Sequence, residues 1–274
     1  MIHKRHYMAL ICSLALALFH TFLTHAAEKY QAPQDISFTA TIDDSTQKYI
    51  LMLPEGFDSN KHHSLMIALH GHGSDRWQFI NSKYLECKAA CDVAIKYNMI
   101  FVSPDYRAKT SWMGPKAEAD VVQIITDLKK AYQIDNVILV GASMGGSSSL
   151  TFSALHPDLI HGVASLNGTA NHLSYEKFQE AIQSSFGGTK QEIPEEYKRR
   201  SAEYWPEQFT MPIAFTTGGK DTVVPPDSVS RLAAIVAKLN KHSLHIHRPE
   251  TGHTTSYEDS YAAYDYVCKI VLAP

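Results

Sequence analysis

Apolar positions along the chain fall into short unbroken runs separated by longer stretches with helical spacing. Runs of strand length occupy residues 65–70, 99–103, 137–140, 162–166 and 213–217, and residues 244–248 supply a last strand. Continuous hydrophobicity suits strands buried on both faces of a parallel sheet. Two earlier segments, 36–41 and 47–53, alternate well enough to be an antiparallel pair, with Asp43, Asp44 and Ser45 as the turn. Helical patterns fill the intervals at 77–97, 117–132, 145–156 and 226–240, and another closes the chain at 256–271. In the second of these, Val121, Ile124, Ile125, Leu128 and Tyr132 form one stripe while Asp120, Gln123, Asp127 and Lys130 face away. Glu118 and Asp120 in its first turn, and Lys129 and Lys130 in its last, match the helix dipole.

Strand and helix alternating to the C-terminus predict an α/β fold, a mostly parallel, doubly wound sheet of about eight strands with right-handed crossovers. Residues 171–209 break the rhythm. They are too long for a simple connection, rich in polar and aromatic residues, and helical near 175–186 and 195–204. They read as a small helical cap over the active-site edge, with an ordinary crossover helix and long loops as the alternative.

Composition sets the address. Residues 1–27 carry Lys4 and Arg5, then an apolar stretch, then Ala26 and Ala27 where a signal peptidase would cut, which is the pattern of a cleaved signal peptide. The apolar core is short for a membrane span and is interrupted by His20, so stable membrane anchoring is not expected. Residues 28–274 then form one domain, secreted or periplasmic. A hydrophobic fraction of 45% and a charged fraction of 19% are globular values. The net charge of -3 grows more negative once Lys4 and Arg5 leave, and the absence of a basic stripe argues against a nucleic-acid partner. Cys87, Cys91 and Cys268 are an odd number for an oxidising compartment. A bridge from either of the first two to Cys268 is open, and at least one thiol stays free or pairs between chains.

Gly141-Ala-Ser143-Met-Gly145 follows the run 137–140 and opens a helix of small residues, the sequence form of a nucleophile elbow. A serine hydroxyl becomes a useful nucleophile when a strained turn presents it to a base. The base needs an imidazole, and the imidazole needs a carboxylate. Asp221 follows the run 213–217 on a glycine turn, and His253 follows the last strand on another, both where loops at strand carboxyl ends converge. Asp227 belongs to the first turn of a helix, and Glu250 lies too near His253 in sequence to orient its ring. The amide of Met144, directly after the nucleophile, is the first oxyanion donor.

With Ser143, Asp221 and His253 in that order, the chain resembles a serine esterase of the α/β-hydrolase superfamily. It looks like the branch holding secreted polyhydroxybutyrate-depolymerase-like, feruloyl-esterase-like and prolyl-oligopeptidase-like hydrolases. The resemblance implies a second oxyanion donor, the amide of His72 in His70-Gly71-His72-Gly73, with His70 packed beneath the turn. It also implies ester hydrolysis through an acyl-enzyme with no cofactor, on a small-molecule or oligosaccharide ester such as a feruloyl or acetyl ester. Trp112, on the loop 106–115, is a candidate substrate wall, its bland reading being packing against a neighbouring helix; Tyr175, Phe178 and Trp205 read as cap core. The pairs His70/His72 and His245/His247 lack a third ligand at metal-site spacing, so no metal is expected. Two other readings stand. One is a peptidase of the prolyl-oligopeptidase kind, whose members generally add a gating domain not seen in this sequence. The other is a catalytically silent binding protein on the same fold, although such proteins usually lose a triad member.

Overall fold

The computed structural model describes residues 30–81 and 83–273, so the expected leader at 1–27 lies outside the described residues. Among the described residues eight strands form one sheet: β1 (Gln34–Thr39), β2 (Thr46–Met52), β3 (His62–Leu69), β4 (Ile100–Pro104), β5 (Gln133–Ala142), β6 (Gly162–Leu166), β7 (Ile213–Gly218) and β8 (Ser243–Arg248). Their order is β1-β2-β4-β3-β5-β6-β7-β8. The pairings β1–β2 and β2–β4 are antiparallel, and those from β4 through β3 to β8 are parallel.

The continuous runs are explained by a core on each face. In β3, Leu65, Ile67 and Leu69 enter one core while Met66 and Ala68 enter the other; in β5, Val137 and Leu139 oppose Ile138 and Val140. Helices Pro115–Ala131, Met144–Leu155 and Asp227–Leu239 cover the first face, and Leu85–Lys96 and Tyr257–Val271 the second. Strand order reverses at β3, which has β4 on one side and β5 on the other. A crevice therefore opens at the carboxyl ends of β3 and β5. The register Leu69↔Gly141 sets residues 70–73 beside Ser143, and Gly218↔Arg248 sets the loops after β7 and β8 side by side.

Three expectations change. The pattern at 77–97 is two helices, Gln78–Asn81 and Leu85–Lys96, because the polar stretch from Asn81 favours a turn and Tyr84 is extended at φ -63, ψ 137. Asp120 does not face solvent: it is buried with Oδ1 accepting from Arg107 Nη2 at 2.7 Å, and burial pushes its carboxyl up to about 6 against that cation. Cys91 and Cys268 are free thiols, so the bridge between them is not formed. Burial pushes the Cys91 thiol up to about 12.

The insertion at 171–209 contains helices Gln179–Phe186 and Pro194–Arg199 and two short 3-10 turns. Arg200 anchors it. Fully buried, its guanidinium donates to Glu196 Oε1 (2.6 Å), Glu118 Oε2 (2.7 Å) and the Met113 carbonyl (2.7 Å). Arg199 and His156 engage the other oxygen of Glu118 at 3.2 and 2.8 Å. Burial alone would raise the Glu118 carboxyl, but the His156 hydrogen bond and the two arginines outweigh it and hold it at about 2.

Two outcomes follow from this anchor. Arg200→Met should lower unfolding free energy by about 3 kcal/mol in urea titrations, since it removes a fully buried guanidinium from two partly buried carboxylates and from the Met113 carbonyl. Because the Glu118 carboxyl sits below its ordinary 4.5, its contribution is complete above that pH and is lost as pH falls toward about 2. The urea midpoint should therefore drop across that window, and drop less steeply in Glu118→Gln.

Candidate active site

Ser143 sits between β5 and the helix Met144–Leu155 with φ 57 and ψ -121, a conformation that L-residues adopt only when their surroundings impose it. Two backbone contacts impose it here. A Cβ on Gly145 would lie 1.9 Å from the Leu69 carbonyl oxygen, and one on Gly141 would lie 2.4 Å from the Gly145 backbone. Only glycine lets strand, turn and helix approach this closely. The Ser143 amide donates to the Leu166 carbonyl at 2.8 Å, which holds the apex against β6.

The three residues expected to cooperate meet. His253 Nε2 is 2.9 Å from Ser143 Oγ, and His253 Nδ1 is 2.6 Å from Asp221 Oδ2. The other oxygen of Asp221 accepts from the amides of Val223 (2.9 Å) and Val224 (2.8 Å), so the buried carboxylate is fixed on both sides. This arrangement gives His253 its proton on Nδ1 and leaves Nε2 to receive one from Ser143. Asp227 opens the helix Asp227–Leu239, and Glu250 pairs with Lys220 at the surface; neither reaches the imidazole.

Two backbone amides beside Ser143 have no hydrogen-bond acceptor among the described residues. Met144 is the first residue of its helix, where backbone N–H groups have no intrahelical acceptor. In the turn after β3, the Gly71 amide donates to Gln78 Oε1 and the Gly73 amide to the Lys109 carbonyl, each at 2.7 Å. Between them the His72 amide has no acceptor among the described residues. His70 is buried with its ring between the carbonyls of Gly71 and Asp105, and burial holds its pKa below the usual value.

Trp112 is not a substrate wall. Its indole is fully buried, with Nε1 donating to His72 Nδ1 at 3.1 Å, because the loop 106–115 folds inward at this point. The aromatic surface at the site comes instead from Phe178, which is 37% exposed and lies over the His72 ring at 4.3 Å between centroids. Phe178 has φ 53, and nothing in its spacing distinguishes it from cap core. Tyr175 Oη donates to the Val223 carbonyl at 2.9 Å, tying the insertion to the Asp221 loop. Glu86 also comes within electrostatic reach of His253; burial raises its carboxyl, partly offset by its own amide and by that histidine. His245 and His247 both bond Thr217 Oγ1, at 2.8 and 2.9 Å, and among the described residues no group of three metal-ligating side chains is assembled.

Comparison with known proteins gives this geometry its context. Feruloyl esterase C of Emericella nidulans is 23% identical over 126 residues, 44% of this chain and 46% of that protein. Puromycin hydrolase superposes with a TM-score of 0.69 at 17% identity, over 88% of this chain and 39% of the other. The chain thus spans less than half of either relative. Est1E from Butyrivibrio proteoclasticus superposes with a TM-score of 0.64 at 16% identity, over 89% of this chain and all of that one. The sequence model of the prolyl oligopeptidase family matches residues 106–269, more than half of the chain and all three residues of the Ser143–His253–Asp221 array. The chain has an α/β-hydrolase fold, and it belongs to the prolyl oligopeptidase family.

Proposed function

We propose that the chain is a carboxylic-ester hydrolase that forms an acyl-enzyme on Ser143, with aromatic or acetyl esters of carbohydrates as its substrate class. The observation that carries the reading is the unbroken hydrogen-bonded array Ser143–His253–Asp221 beside the Met144 and His72 amides. Ser143 Oγ attacks the ester carbonyl as His253 Nε2 takes its proton, and Asp221 stabilises the imidazolium that results. The two amides receive the oxyanion. His253 then returns the proton to the departing alcohol, and water releases the acyl group by the same steps. No cofactor enters.

The partly exposed Phe178 beside His72, with exposed Val223 at the Asp221 loop, suits an aromatic acyl group. The likeness to a feruloyl esterase points the same way. The family match, and structural likeness to peptidases such as the acylaminoacyl peptidase of Pyrococcus horikoshii, favour peptide bonds as the second reading. Residues 1–27 are read as a secretory leader, which puts the enzyme outside the cytoplasm, free of membrane and nucleic acid.

Methyl ferulate, acetylated xylan and 4-nitrophenyl acetate, set against dipeptide 4-nitroanilides, separate the two readings. The first group should be hydrolysed with much the larger kcat/KM; the reverse order would assign the peptidase. Ser143→Ala should lower kcat by on the order of 10⁶. Asp221→Asn should keep the geometry but cost about 10⁴ through the wrong histidine tautomer. N-terminal sequencing of protein exported by the native host should begin near Glu28, and retention of Met1 would refute the leader.

A further inference from the structure

The turn that carries the His72 amide is tied to the loop following β4. Tyr106 Oη donates to the His70 carbonyl at 2.6 Å, and His70 Nε2 lies 3.2 Å from the Asp105 carbonyl. The Gly73 amide donates to the Lys109 carbonyl. The remaining tie, from Trp112 Nε1 to His72 Nδ1, is the one that reaches His72 itself.

The donor end of that bond is rigid. Trp112 is fully buried, and both it and Met113 hold left-handed backbone at φ 44 and φ 56. Arg200 fixes the Met113 carbonyl at 2.7 Å. The indole also packs against Tyr175 and His172, at 5.7 and 6.1 Å between centroids. The acceptor end is defined as well. An imidazole that accepts at Nδ1 is neutral and carries its proton on Nε2. Phe178 packs at a tilt against both rings, 4.3 Å from His72 and 5.5 Å from Trp112 between centroids. The amides of Gly71 and Gly73 are each bound, so the side chain of His72 is the further point at which the turn between them is held.

We propose that buried Trp112 is a positioning residue for the oxyanion hole, its indole N–H holding His72 through Nδ1 so that the His72 amide stays aimed at the reacting carbonyl. The inference rests on the reading of that amide as the second oxyanion donor. A shift of about 1 Å in such a group costs about 10²-fold in rate.

The test uses kcat and KM on 4-nitrophenyl acetate for Trp112→Phe, His72→Phe, the double variant, His72→Asn and Gly73→Val. Trp112→Phe should lower kcat by about ten- to a hundredfold with KM little changed. The double variant should be no slower than the slower single, because both substitutions remove one bond. His72→Asn offers Oδ1 as a replacement acceptor for the indole and should recover part of the kcat that His72→Phe loses. Losses that multiply in the double variant, or an unchanged kcat in Trp112→Phe, would overturn the proposal. Should Trp112→Phe fail to fold, equal losses in His72→Asn and His72→Phe would do the same. Gly73→Val separates the underlying reading, since φ 83 at that position strains any side chain and distorts the turn directly. Full kcat in Gly73→Val would remove His72 from the oxyanion hole altogether. A slow Gly73→Val beside a fast Trp112→Phe would leave the oxyanion donor in place and reject only the role of Trp112.

Discussion

The arrangement of the site depends on one backbone approach, that of the helix at Gly145 to the end of β3 at Leu69. It presses the helix that follows Ser143 against the strand whose following turn carries the His72 amide proposed as an oxyanion donor, so packing sets the nucleophile and that turn side by side. The composition of the helix follows from this. It is buried along nearly its whole length, so its N-terminal half is built from glycine and serine. Ser147 Oγ and Ser149 Oγ return hydrogen bonds to the Ser143 and Gly145 carbonyls, which satisfies small polar groups that the approach forces out of water.

Much of the sheet and all three members of the Ser143–His253–Asp221 array could be read from the sequence, because both rest on short-range rules. An unbroken apolar run means a strand covered on two faces, and glycines flanking a serine after such a run mean a turn that tolerates no other residue. What escaped depended on partners remote in sequence. Asp120 follows a helical period that points it outward, yet Arg107 draws it into the interior. Trp112 has the composition of a binding wall, yet its loop turns it inward toward His72, forty residues away. Phe178 has the spacing of cap core, yet it is 37% exposed beside His72, 106 positions earlier in the chain. The helix break near Tyr84 has no proline or glycine to announce it.

The insertion is held at both ends of the site. On one side Arg200 joins it to Glu118 and Met113, the residue after Trp112; on the other, Tyr175 joins it to Val223 beside the acid. Arg231 and Asn171 both engage Glu203, closing it onto the helix Asp227–Leu239. These ties to three separate elements, one of them through the fully buried Arg200, oppose local opening of the insertion.

The position of β8 in the sheet bears on how the enzyme would lose activity. Among the described residues β8 is a terminal strand paired with β7 alone, and its residues are half-buried or exposed where those of β6 and β7 are buried throughout. The catalytic base rides on the loop that follows it. In a protein whose elements open separately, a thinly covered edge detaches at lower free energy than the centre. Heat or denaturant should therefore silence this enzyme by withdrawing one imidazole while the nucleophile, the oxyanion turn and most of the sheet are still folded.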